Sequence, residues 1–218
     1  MRVKETARWY PVAMSDDPPG LRVLRADRPG RTPPVFERIA IVGLDRVGGS
    51  IALAARRAWP SGLVIGVDGN DVLEKAMLLH AVDVASPDLS QAAGADLVVL
   101  ATPLEQSLRL ILELPDRVDR EAVVTDVAPI KGAIVEAARA LPPRLRFVGG
   151  HPVVDGPAGG LELARPDLFV GRPWLFTPGA AAEQRTIARL FAFVTALGAQ
   201  PRSLDPSEHD RLFVSPAV

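Results

Sequence analysis

Residues 38–50 read RIAIVGLDRVGGS, an apolar run that breaks into a glycine turn and continues in helix-forming residues; a second apolar run, LVIGVD, closes at Asp68. Few folds accommodate that order. A strand entering a glycine turn, a helix, and a second strand ending in a carboxylate make the βαβ fingerprint of dinucleotide binding. Gly43 permits the tight turn and Gly48 lets the helix pack against the strand. The helix N-terminus then offers unpaired N–H groups to a pyrophosphate. Asp68 is placed to accept hydrogen bonds from a ribose diol and to repel a 2′-phosphate, and Gly69 and Asn70 follow it without an arginine. The expected cofactor is therefore NAD. Gly43, Leu44, Asp45, Arg46, Val47 and Gly48 form the expected cofactor loop, joined by Asp68. Thr102 and Pro103 end a later strand near the expected nicotinamide ribose. Asp45 stands where the fingerprint has its middle glycine. There it sets bulk and charge beside the phosphates, turns out to solvent, or pairs with Arg46.

Beyond the fingerprint the chain alternates. DLVVLATP (96–103) and AVVTDV (122–127) are nearly continuous apolar strands, each followed by residues at helical spacing, 104–114 and 130–141. RLRFVGGHP, PWLFTP and residues 200–204 are further extended segments, and 183–197 forms an amphipathic helix ended by Gly198. Strands apolar on both faces and separated by helices call for a parallel sheet covered on each side. The fold class expected is α/β, a Rossmann-type doubly wound sheet over 37–218. RIAIVGL should lie at its centre, with VIGVD and DLVVLAT on opposite sides. Residues 1–36 carry Pro11, Pro18, Pro19, Pro29, Pro33 and Pro34 among charges and read as a disordered extension.

Composition narrows the function. The net charge of −1 provides no field for nucleic acid or an anionic membrane. The chain has no cysteine, which excludes disulfides and thiolate chemistry, and its three histidines are scattered. No apolar run reaches the roughly 20 residues that span a bilayer, and the N-terminus carries no signal-type apolar segment, so a cytoplasmic location is expected.

Seven segments follow one another at compatible spacing: IAIVGLxxxGGS, VIGVD, ADLVVLATP, VVTDVxxxKG, RFVGGHP, DLFxGRPWxxTP and DPxEHDR. Together they resemble the nucleotide-binding half of the prephenate/arogenate dehydrogenase family over about residues 38–213. The resemblance implies oxidation of prephenate or arogenate by NAD(P)+ with loss of CO2, a step of tyrosine biosynthesis driven by aromatisation. It implies that His151, the histidine of GGHP, accepts or hydrogen-bonds the substrate hydroxyl proton, a task neutral imidazole suits near pH 7. Lys131 is a candidate substrate contact or loop cap. His209, in EHDR, reads as a structural residue on an exposed helix start, and His80 as a helix-ending residue without function.

The chain departs from the family pattern in four places. Asp45 replaces glycine, and Pro129 stands in DVAPIK where the family's serine orients the histidine. Asp155 follows the histidine where it would repel a dicarboxylate. The family's C-terminal helical domain, which implies dimerisation and an arginine for the substrate carboxylate, lies beyond these segments and is expected to be absent. Little turnover is therefore expected from this chain alone. A dehydrogenase by descent, a non-catalytic dinucleotide-binding module, and a reductase of another small molecule completed by a partner stay open.

Overall fold

Alternate residues of a strand face opposite sides of its sheet, and here both sides are apolar. In β1 (Arg38–Val42), Ile39 and Ile41 join one core while Ala40 and Val42 join the other. The computed structural model describes residues 33–179 and 182–213, so the expected extension falls outside the described residues up to 32. Phe36, expected within that extension, is fully buried, edge-to-face with Phe193 and beneath the Arg189 guanidinium. The folded body thus begins a few residues earlier than expected.

Six strands form one parallel sheet: β1, β2 (Leu63–Val67), β3 (Val84–Ser86), β4 (Leu97–Leu100), β5 (Ala122–Asp126) and β6 (Leu145–Phe147), in spatial order β3-β2-β1-β4-β5-β6. β1 pairs with β2 on one side and β4 on the other, as the fingerprint requires. The short β3 was not legible, because its three residues carry no apolar run. Helices α1 (Arg46–Ala58), α2 (Asn70–Leu78) and α5 (Gln184–Ala196) contribute to the core on one face. The other face is covered by α3 (Leu104–Arg117) and α4 (Gly132–Ala137). Gly43 takes φ +94°, a left-handed conformation, and a Cβ there would meet the Ala101 carbonyl oxygen at 2.5 Å. A Cβ on Gly48 would lie 2.0 Å from the Gly43 oxygen, so both glycines of the turn are sterically required.

The segment expected as one strand, RLRFVGGHP, divides. β6 stays in the parallel sheet, while β7 (Gly149–Pro152) leaves it and pairs antiparallel with β8 (Pro173–Thr177). β8 in turn pairs parallel with β9 (Gln200–Ser203), giving a second, three-stranded mixed sheet. The division follows from hydrogen bonding beyond the end of β5. The Asp126 carboxylate accepts the Gly150 N–H at 3.0 Å and Thr125 Oγ1 donates to the Val148 carbonyl at 2.7 Å, drawing the chain across the sheet edge. The last helix, α6 (Pro206–Phe213), packs against α4.

Candidate functional site

The C-terminal ends of β1, β2 and β4 open into a cleft of about 820 Å³. Gly43, Asp45, Asp68, Thr102 and Pro103 line it, so five of the nine expected cofactor residues share one cavity. The other four flank the turn differently. The Leu44 side chain is fully buried and Val47 packs against the core, so both reach a ligand only through backbone. Gly48 is buried in the turn and Arg46 points elsewhere.

Asp68 is held from two sides: one carboxylate oxygen accepts the Leu44 N–H at 2.6 Å and the other the Gly69 N–H at 2.6 Å. Each oxygen keeps a further lone pair, so the carboxylate is oriented yet free to accept from a ribose diol. Thr102 Oγ1 lies 2.8 Å from Ser107 Oγ, which ties the end of β4 to α3. Arg117 of α3 also lines the cleft, a cation the sequence did not bring there because it lies far from Asp68 along the chain.

The first turn of α1 holds the main surprise. Asp45 neither turns away nor pairs with Arg46: its Oδ1 accepts the N–H groups of Val47 at 2.8 Å and Gly48 at 3.0 Å, forming an N-cap. The Arg46 N–H donates to the Gly159 carbonyl at 3.0 Å. The Arg46 guanidinium binds the carbonyls of Asp155 at 2.6 Å and Pro157 at 2.9 Å. The donors that would cradle a pyrophosphate are thus satisfied within the chain. The ribose side of the cleft fits a dinucleotide as it stands; the phosphate side fits one once the exposed Asp45 carboxylate gives up its two bonds.

A second group of side chains lies beyond the end of β5, on the same edge of the sheet as the cleft. The buried Lys131 ammonium pairs with Asp126 and donates to the Gly150 carbonyl at 2.6 Å. Burial pulls its pKa below the usual lysine range against the opposing pull of Asp126. Fully enclosed, Lys131 braces β7; the expectation that it contacts substrate does not match its position.

His151 lies in β7, and its Nδ1 is 2.9 Å from Nε2 of His209. His209 is fully buried, contrary to the expected exposed position, because α6 folds back onto α4. Its Nδ1 lies 3.1 Å from Oδ1 of Asp210. Asp210 also accepts the backbone N–H groups of Lys131 at 2.7 Å and Gly132 at 2.8 Å, stitching α6 to the start of α4. Burial pushes the Asp210 carboxyl up, but those N–H groups and His209 outweigh it and hold it below the usual range. Phe213 packs on both imidazoles with ring centroids 4.9 Å away. Burial, with His209 and Lys131 nearby, lowers the His151 pKa to about 4 and keeps it neutral at pH 7. The only sequence signal for His209 was its place in EHDR, and neither spacing nor periodicity placed it beside His151.

Asp155 also departs from expectation. Its carboxylate pairs with Arg172 at 2.5 Å, and that hydrogen bond and charge hold it below the usual carboxylate range. The neighbouring guanidinium offsets the repulsion expected toward a dicarboxylate. Among the described residues, no group of His, Cys, Asp and Glu is arranged to hold a metal ion, and no helix is long and apolar enough to cross a membrane.

Comparison with known proteins agrees with this geometry. Residues 51–202 match the family model described as prephenate dehydrogenase, nucleotide-binding domain. A prephenate dehydrogenase of Bacillus subtilis is 34% identical over 178 residues, covering 80% of this chain and 48% of that protein. The crystal structure of Synechocystis arogenate dehydrogenase superimposes with a TM-score of 0.75 at 34% identity, over 80% of this chain and 62% of that one. The Aquifex aeolicus prephenate dehydrogenase solved with hydroxyphenyl propionate and NAD+ has a TM-score of 0.77 at 24% identity, over 83% of this chain and 64% of that one, a likeness of fold. The chain spans about half the length of the curated relatives it matches. With its turn, sheet order and cleft in agreement, the chain belongs to the prephenate dehydrogenase family through its nucleotide-binding domain.

Proposed function

We propose that this chain is the nucleotide-binding half of an NAD-dependent dehydrogenase acting on prephenate or arogenate in the cytoplasm. The observation that carries this reading is the placement of neutral His151 beyond the end of β5, on the sheet edge where β1, β2 and β4 open into the cleft. Open α/β sheets bind their ligands at that edge. Asp68 would hold the adenosine ribose, the turn from Gly43 to Gly48 would face the pyrophosphate, and Thr102 and Pro103 would border the nicotinamide ribose. A bound nicotinamide supplies the acceptor for the hydride that leaves the hydroxyl-bearing ring carbon. His151 accepts a hydrogen bond from that hydroxyl and takes up its proton as the carbon–oxygen bond gains carbonyl character. As CO2 departs, the electrons of its bond restore the aromatic ring and the proton returns to the phenol oxygen. The net change is substrate plus NAD+ to phenol, CO2 and NADH.

Asp45 favours a second reading, a dinucleotide-binding module without turnover, because its carboxylate fills the donors of α1. Prephenate also carries two carboxylates, and the Lys131 charge is committed to Asp126. Turnover by the 218-residue chain is accordingly expected to be weak. Calorimetric titration with NAD+, followed by NADH production at millimolar prephenate and arogenate, tests both readings. Turnover that disappears in His151→Ala supports the dehydrogenase; binding without turnover supports the module. Calorimetry that shows no binding of NAD+ or of NADP+ would overturn both.

A further inference from the structure

Pro129 occupies the position at which the resemblance expects a serine to orient the histidine, and proline has neither hydroxyl nor N–H to do so. The Nδ1 of His151 is nevertheless partnered, by a residue 58 positions away. We propose that His209, anchored by Asp210, is the positioning residue for His151: it fixes the imidazole as the Nδ1–H tautomer and leaves Nε2 as the proton acceptor. The proposal rests on the role given to His151 above.

The direction of each hydrogen bond follows from the end of the chain. An ionised carboxylate only accepts, and the Asp210 oxygens already receive the N–H groups of Lys131 and Gly132. The 3.1 Å contact therefore requires His209 Nδ1 to donate. In a neutral imidazole the other nitrogen is then the acceptor, so His209 Nε2 receives its proton from His151 Nδ1 across 2.9 Å. One carboxylate thus sets the tautomers of two rings in sequence. A carboxylate that fixes an imidazole serving as base governs carboxylate–histidine pairs in other enzymes as well. Phe213 against both rings, together with the full burial of His209, limits their rotation.

The test reads tautomers directly and needs no turnover. Long-range proton–nitrogen NMR spectra of the full chain with labelled histidine, near neutral pH, distinguish the two protonation sites of His151. The expected wild-type result is a His151 protonated almost entirely at Nδ1. His209→Gln keeps an acceptor oxygen and should preserve that state. His209→Leu removes the acceptor and should make Nδ1–H the minor form. A wild-type His151 carrying its proton on Nε2 would mean that His209 donates instead, and would overturn the proposal. So would a His209→Leu spectrum unchanged from wild type, or loss of the Nδ1–H form in folded His209→Gln as complete as in His209→Leu. Circular dichroism checks that each variant is folded; should His209→Leu not fold, the wild-type and His209→Gln spectra decide. NAD+ titration of the same samples tests the cofactor reading separately, since His209 does not line the cleft.

Discussion

Oδ1 of Asp45 accepts the Gly48 amide at 3.0 Å, so the chain's own carboxylate sits on the helix turn where a dinucleotide would place its phosphates. Replacing it with glycine frees two donors and removes an exposed negative charge. We expect Asp45→Gly to tighten NAD+ binding at least several-fold in calorimetry. The lost cap should cost only a few tenths of a kcal/mol in urea denaturation, because glycine is itself tolerated at that position. An unchanged dissociation constant would mean that the bound phosphates do not meet this turn.

Cofactor choice is expected to turn on Asp68, which two backbone amides hold at the end of β2. NAD+ should bind more tightly than NADP+ by at least about fivefold, roughly 1 kcal/mol, and Asp68→Ala should narrow that gap. Arg117 lines the same cleft and is the residue to suspect if NADP+ binds more tightly instead. Parallel titrations of the two dinucleotides check both statements.

The buried pair of Lys131 and Asp126 braces β7, and removing one partner of such a pair strands a charge. Lys131→Met should destabilise the fold by about 3 kcal/mol, the low end of the usual cost of a broken buried pair. The low end is expected because Asp126 keeps the N–H groups of Ala128 and Gly150. Combining it with Asp126→Asn should recover part of the loss. Urea denaturation of the single and double variants measures both effects.

The sheet was legible because its strands announce themselves: RIAIV, LVIGV, LVVL and AVVTD are continuous apolar runs, and their order fixes the crossovers. The position of Asp68 was legible for a related reason, since it directly follows the last residue of a strand. The separate strand that carries His151 was not, because RLRFVGGHP reads as one extended run. His209 was not, because its partner is remote in sequence and a buried histidine in a charged segment reads as exposed. The roles of Asp45, Lys131 and Asp155 were set by side-chain hydrogen bonds and ion pairs that no periodicity encodes. Asp155 shows this plainly: read alone it is a repulsive charge, and beside Arg172 it is half of an ion pair.

His151 makes stability depend on pH. Its folded pKa of about 4 lies below the ordinary value of 6.5, so between those values the unfolded chain binds more protons than the folded one. Its contribution is therefore fully present above pH 6.5 and declines as the pH falls toward 4, by on the order of 2–3 kcal/mol. Urea melts at several pH values in this window should show the decline, and His151→Gln should flatten it. Where turnover is measurable, its acidic limb should fall near pH 4 rather than 6.5.

His80 closes α2 at φ +51°, the one described residue other than glycine with positive φ. Its side chain is exposed and no function has been assigned to it. His80→Gly should raise stability by about 0.5–1 kcal/mol, because the left-handed strain it relieves exceeds the added freedom of the unfolded chain. Thermal denaturation of the variant gives the sign directly.

Asp210 joins the backbone of Lys131 and Gly132 to α6 across 79 and 78 positions of chain. The strands that frame the cleft are all in place by residue 126, whereas the histidine pair can form only after residue 210 has left the ribosome. His151 therefore gains its partner late in synthesis, after every strand that borders the cleft has been made.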